Sequence, residues 1–215
     1  MSGPYRGNKN IVKNYNHYFG QYDLFVSCFE HYYQDWKSSD LKIKEIFTTP
    51  KIEIEKTKWY QNRDNNAGQS GFWQFWNLKS VIEQTPDDYD FYIKNRCDLF
   101  FSSSLNLEFD NLNKNSIYSS AKSFHLNEWN EQEWINDEFY VGDRATMNVI
   151  SRFVLEYYEI DRHSKNDTSN EVSLLNFLKE NKISINKIFD FIYVKNHNGV
   201  HISTGYTGNY QLEKL

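Results

Sequence analysis

The first stretch with side chains suited to chemistry is Asn95-Arg96-Cys97-Asp98, set between the apolar runs "YDFYI" and "LFF". An Asp-x-Asp at a strand end commonly holds a divalent cation against a nucleotide diphosphate, because hard cations take oxygen ligands. Here Arg96 replaces the first carboxylate. Its planar fork can grip phosphate oxygens directly, leaving Asp98 as the single protein carboxylate for Mn²⁺ or Mg²⁺. An ion pair where a strand leaves its sheet is the plainer reading of the same residues.

The second stretch is "MSGPYRG", where Ser2, Gly3 and Gly7 surround Arg6. Backbone N–H groups and a guanidinium in one turn make an anion seat; otherwise the segment is a loose tail. The third is "INDEFYVGDRATM", in which Asp137 and Glu138 are adjacent carboxylates ahead of a short apolar run. A carboxylate there can take a proton from an attacking hydroxyl if it lies within hydrogen-bond reach, or it can decorate a solvated loop. Upstream, "NEWNEQEW" offers Trp129 and Trp134, whose rings can stack on a sugar face or simply pack. His197 and His201 lie four residues apart, but Gly199 between them argues against a helical zinc pair, so they read as surface histidines.

These residues need elements to position them. Tyr22 to Phe29, "YDLFVSCF", has strand length and composition. In "GFWQFWNLKSVIEQ", Phe72, Phe75, Trp76 and Ile82 recur at helical spacing, with Lys79 interrupting the stripe, and Pro86-Asp87-Asp88 ends the helix as a turn. "YDFYI" and Ser116 to Ala121 read as strands. Asp143 caps a helix whose face is Met147, Ile150, Val154 and Tyr157. Thr168 and Glu171 have capping-box spacing before "VSLLNFLKE", and "KIFDFIYV" closes as a strand. Strands alternating with helices predict an α/β fold with a largely parallel sheet, in which ligands bind beyond the carboxyl ends of strands. "NRCD" lies at such an end.

A length of 215 residues suits one domain, and aromatic residues at 18% supply large buried areas without many aliphatics. The net charge of −5 is spread out with no basic stripe, which disfavours nucleic acid as a partner. No run is apolar enough to span a membrane, and the first ten residues lack a signal-peptide core. Cys28 and Cys97 read as reduced, buried thiols of a cytoplasmic protein.

Taken in order, "SGPYRG", "FGQYDLFVSCF", "YDFYIKNRCDLFF", "INDEFYVGDRATMNVI" and "NEVSLLNFLKENKI" resemble the small glycosyltransferases of polysaccharide and capsid-glycan synthesis. These are the WavE-like lipopolysaccharide enzymes and similar proteins of large DNA viruses. The resemblance spans roughly residues 2 to 183, and the ordered set is far more specific than any one piece. It implies a glycosyltransferase A-type fold: a Rossmann-like α/β sandwich, with a mixed, mostly parallel sheet flanked by helices, over residues 1–215 as a single domain. It also implies a nucleotide-sugar donor, a glycan or glycoprotein acceptor, and Mn²⁺ or Mg²⁺. Carried over, Ser2, Gly3 and Arg6 would lie near the donor diphosphate, and Arg96 and Asp98 would occupy the metal-binding Asp-x-Asp. Asp137 would face the reacting sugar or the acceptor hydroxyl. Glu171 would open the late helix, though the Thr168 capping box already accounts for it.

Two departures stand out. The family's first strand normally precedes its Ser-Gly turn, and here only Met1 does, so the chain reads as truncated or its nucleotide pocket as lacking a wall. Positions 94 and 95 are Lys and Asn, where the family often has another Arg. The competing expectations are a non-catalytic carbohydrate- or partner-binding domain that keeps the fold, and a structural α/β domain without a small-molecule site.

Overall fold

The computed structural model describes residues 1, 9–50, 69–96, 99–101, 111–119, 122–127, 130–135, 139–158, 170–187, 192–196 and 200–204. In α1 (Lys9–Phe19), Ile11, Tyr15 and Phe19 recur every four residues and are buried. That spacing lays one helix face against the sheet. Strand β1 (Leu24–Phe29) follows, and after a 3₁₀ turn and the short α2 (Tyr33–Lys37) comes β2 (Ile43–Thr49), parallel to β1. The crossover between them is brief, and the buried Trp36 of α2 anchors it.

Next is α3 (Gln69–Gln84), with Phe72, Phe75, Leu78, Val81 and Ile82 buried at three- and four-residue spacing. Lys79 interrupts the stripe as expected, pairing with Glu83 at 2.6 Å and lying 5.7 Å from the Trp76 ring centre. The chain then runs through β3 (Tyr92–Lys94), β4 (Leu99–Phe101), β5 (Ser116–Ser119), β6 (Lys122–Asn127), β7 (Asn130–Ile135) and β8 (Tyr140–Gly142). Helix α4 (Arg144–Phe153) continues into a π-helical turn, Val154–Tyr158. It is followed by α5 (Asn170–Glu180), β9 (Ser184–Lys187), β10 (Ile192–Asn196) and β11 (Val200–Thr204). The expected single closing strand is thus two elements, one ending at Lys187 and the next starting at Ile192.

The sheet is mixed. Parallel pairs are β1–β2 and β5–β9, while β8 is antiparallel to both β3 and β5. The strand order in the larger sheet is β3-β8-β5-β9; β6–β7 form a hairpin, and β10 pairs with β11 and β4. Alternation along the strands divides the core into two layers, since successive side chains point to opposite faces. Phe25, Tyr140 and Ile117 join α3, α4 and α5 in one apolar cluster. Leu24, Val26, Cys28, Tyr118 and Val141 join α1 and Trp36 in the other. The two-stranded β1–β2 sheet and the four-stranded sheet therefore lie in one layer between the same two helix layers, although no strand joins them among the described residues.

Candidate functional site

Strand β3 delivers the candidate residues of the "KNRCD" stretch. Lys94, its last residue, is 4% exposed, with its ammonium 5.4 Å from the centre of the Tyr140 ring. That cation–π contact gives a buried charge an electrostatic partner on a ring face. Asn95 is 3% exposed, and neither its amide nitrogen nor its amide oxygen has a hydrogen-bond partner. Arg96 follows, half-buried, two residues past the strand's carboxyl end. Lys94 and Arg96 put two cationic side chains within three residues at that end, an arrangement suited to an anion. Cys97 and Asp98 lie outside the described residues, and β4 begins at Leu99.

Beside β3 is a cavity of about 460 Å³. Its walls are β1 with the residues before it, β3 with the residues before it, Tyr15 and Phe19 of α1, and Leu78, Val81 and Ile82 of α3. At its rim, Asp23, Lys44 and Tyr89 close on one another. The Lys44 ammonium donates to Asp23 Oδ2 at 2.6 Å and contacts the Tyr89 oxygen at 2.9 Å, and the Tyr89 hydroxyl also donates to Asp23 Oδ2. The Lys44 bond, then the Tyr89 bond, hold the Asp23 carboxyl below its ordinary range, and the bond to Asp23 holds Lys44 above its own. The cluster is exposed, so it orients side chains more than it stabilises the fold.

The segment before α4 is built from a cap. Asp143 Oδ1 accepts from the Thr146 amide at 2.9 Å and Oδ2 from the Asn115 amide at 3.0 Å, which ties α4 to the turn entering β5. Burial pushes this carboxyl up, but the bonds from Thr146 and Asn115 outweigh it and leave it below the ordinary value. Gly142 pairs with both Tyr92 and Ile117, and a Cβ there would stand 3.0 Å from Thr146 Cγ2. Only a residue without that atom lets the first turn of α4 sit so close to the sheet without a shift.

Ser2, Gly3, Arg6, Asp98, Trp129 and Asp137 all fall outside the described residues, as do Glu138, Thr168 and His197. Trp134 lies in β7 of the β6–β7 hairpin, its backbone opposite Ser123 of β6. His201 lies in β11 opposite Lys195. Glu171 occupies the first turn of α5. Among the described residues no group of three or more His, Cys, Asp or Glu side chains is placed to hold a metal ion. The residues that spacing alone did not single out are Lys94 and Asn95. An amide and an amine directly following an apolar strand are the only signal for them.

The class these observations define is an α/β protein with a mixed sheet between two helix layers, a Rossmann-like sandwich. No protein-family model and no curated protein matches the chain. Among solved structures it is similar to a protein described as a glucose-1-phosphate thymidylyltransferase from Bacillus anthracis, in complex with a sucrose. The identity is 11% with a TM-score of 0.47, over 88% of this chain and 78% of that one. It is also similar to mouse xyloside xylosyltransferase 1 in its apo form, at 13% identity and a TM-score of 0.46, over 77% of this chain and 71% of that one. No helix among the described residues is long and apolar enough to cross a membrane.

Proposed function

We propose that the protein transfers a sugar from a nucleotide-diphosphate donor to a hydroxyl of a glycan or glycoconjugate, using a glycosyltransferase A-type fold. The observation that carries this reading is the position of Arg96. It lies just past the carboxyl end of β3 in a sheet with helix layers on both sides, where open α/β sheets bind ligands. A guanidinium there meets a diphosphate with charge-assisted bonds. The ordered motifs supply the remaining roles. Ser2, Gly3 and Arg6 would hold the diphosphate with Arg96, and Trp129 and Trp134 would receive the acceptor.

Mn²⁺ or Mg²⁺ would rest on Asp98 and the donor's own phosphate oxygens, since such cations need only one or two protein carboxylates. Bound there, the cation would neutralise charge on the departing diphosphate. Asp137 would orient the acceptor hydroxyl or accept its proton.

The test is sugar transfer or donor hydrolysis under saturating donor by the wild type and Asp137→Asn. Turnover should fall about a hundredfold or more while donor binding stays nearly unchanged, the usual scale for losing a positioned acid–base group. Wild-type turnover in the mutant removes Asp137 from the mechanism. No turnover by either protein, across common nucleotide sugars, makes the chain a binding domain.

A further inference from the structure

Helix α1 carries Lys9, Lys13 and His17 and no carboxylate, in a chain whose net charge is −5. The three recur every four residues, and all are exposed. Four residues make just over one turn, so they stand in single file, about 6 Å apart along the axis. Elsewhere the same spacing joins opposite charges: Lys79 with Glu83 at 2.6 Å on α3, and Arg152 with Glu156 at 2.9 Å at the end of α4. On α1 it sets like charges side by side, which weakens a helix, and Lys9 in the first turn also opposes the helix dipole. None of the three forms an ion pair among the described residues. Asp40 lies beside the row, its carbonyl accepting from the Asn16 amide at 3.3 Å, yet its carboxylate pairs with none of them.

The row begins at the ligand end of the sheet. A tight turn joins the end of α1 to the start of β1, and the two pack together through Val12, Tyr15, Phe19, Leu24, Val26 and Cys28, so they run in opposite directions. Helix α3 shows that β3 runs with β1. Phe29 at the end of β1 meets Trp73 near the start of α3, with 5.5 Å between ring centres. Tyr92 at the start of β3 donates to the Pro86 carbonyl, just past the end of α3, at 2.7 Å. The carboxyl ends of β1 and β3 therefore share an edge. Lys9, the first residue of α1, lies toward that edge, as does Arg96, and Lys13 and His17 lead away from it.

The neighbours of the row choose among anionic partners. Ile11, Val12, Tyr15 and Phe19 are buried in the core, which leaves α1 no apolar side chains to sink into a lipid boundary. One short helix edge in an acidic chain is too little for a nucleic-acid backbone. Asn16 flanks the row on one side and Asn14 on the other, with the half-buried Tyr18 ring beyond, and amides and rings suit hydroxyls and sugar faces. We propose that Lys9, Lys13 and His17 form a subsite for an acidic glycan. Resting on the sugar transfer proposed above, the acceptor is then a saccharide bearing carboxylate or phosphate groups. Its chain runs along α1 away from the transfer site, its charges on the cations and its hydroxyls on the amides.

The experiment measures calorimetric binding of hexagalacturonic acid, with maltohexaose as the neutral control and hexaglutamate as the acidic peptide control. The wild type should bind the acidic oligosaccharide more tightly than either control. The double variant Lys9→Gln, Lys13→Gln should bind it about fivefold or more weakly, the scale of two exposed ion pairs. Lys9→Arg with Lys13→Arg should restore binding, and salt raised from about 50 to about 300 mM should weaken it in the wild type. Glutamine is a good helix former at exposed positions, so the variant keeps α1, as circular dichroism would confirm. Equal affinity of the wild type and the glutamine variant overturns the proposal, as does neutral oligosaccharide bound as tightly as acidic. Hexaglutamate bound at least as tightly, or phosphatidylserine vesicles bound where hexagalacturonic acid is not, replaces the glycan with a peptide or a membrane and overturns it too. Nucleoside-diphosphate binding, followed in the same samples, should not differ between the wild type and the glutamine variant. If the diphosphate binds and the acidic oligosaccharide does not, only this inference falls. If the oligosaccharide binds through the two lysines and the diphosphate does not, the glycan subsite is upheld and the sugar-transfer reading falls.

Discussion

Replacing Asp143 with alanine removes two acceptors at once, and the cost follows from what each holds. Oδ1 caps α4 through the Thr146 amide, and losing such a cap typically costs about 1 kcal/mol. Oδ2 accepts from the Asn115 amide, and leaving a part-buried donor unpaired costs about 1–3 kcal/mol. The sum, about 2–4 kcal/mol, corresponds to a Tm lower by about 6–12 °C in a chain of this length. Asp143→Asn keeps one acceptor oxygen and should lose less. The pH dependence has a definite sign. The folded carboxyl lies below its ordinary value, so the unfolded chain binds the proton more readily. The stabilisation is fully present above the unfolded pKa and is lost as pH falls through the folded one. The Tm gap between wild type and Asp143→Ala should therefore be widest at neutral pH and narrow below about pH 4. Melts followed by far-ultraviolet circular dichroism at pH 7 and pH 3 measure it. A gap under about 2 °C at pH 7, or one that persists unchanged in acid, would refute the reasoning.

Further outcomes follow from the same geometry. Arg96→Ala should weaken donor binding by about 10- to 150-fold, the loss of one charge-assisted contact, measured by calorimetry with a nucleoside diphosphate; unchanged affinity removes Arg96 from the site. Asp98→Asn should abolish the part of that affinity that depends on Mn²⁺ and leave the metal-independent part alone. The Cys28 thiol is fully buried and pushed up to about 11 by burial, then by the charge of Asp35. It should resist alkylation in the native protein at pH 8 and react only on unfolding; a fast native reaction assigned to Cys28 by peptide mapping would contradict that burial.

How far the sequence could be read depended on how cleanly each segment stated its periodicity. Strand β1 and helix α3 were legible because their apolar residues are dense and buried by layers on both sides of the sheet. The α4 cap was legible because aspartate after a glycine, ahead of Met147 and Ile150, leaves few alternatives. Helix α1 hid behind Lys, Asn and His on its exposed side, although Ile11, Tyr15 and Phe19 carried the signal. Strand β2 begins with four exposed or half-exposed residues, so it lacks a strong apolar run. The β6–β7 hairpin has a largely polar sequence without a dense apolar run, so its pairing was not visible in it. For the candidate site, Arg96 was legible as a strand-end cation. Lys94 and Asn95 were not, because their importance comes from burial, which neither residue type suggests.

Arg144 links parts of the chain far apart in sequence. Its guanidinium donates to the Ile82 carbonyl at 2.8 Å, pairs with Asp87 at 2.5 Å and lies 5.3 Å from the centre of the Tyr92 ring. The tail of α3, the turn after it and the first residue of β3 are thus fastened to the opening residue of α4. A lysine could not make these contacts together, because a point charge has neither the planar face nor the fork. Any displacement of β3 caused by something binding beyond Arg96 must then strain or carry along the first turn of α4. Amide exchange at Thr146 and Met147 would register occupancy at a place that no ligand touches.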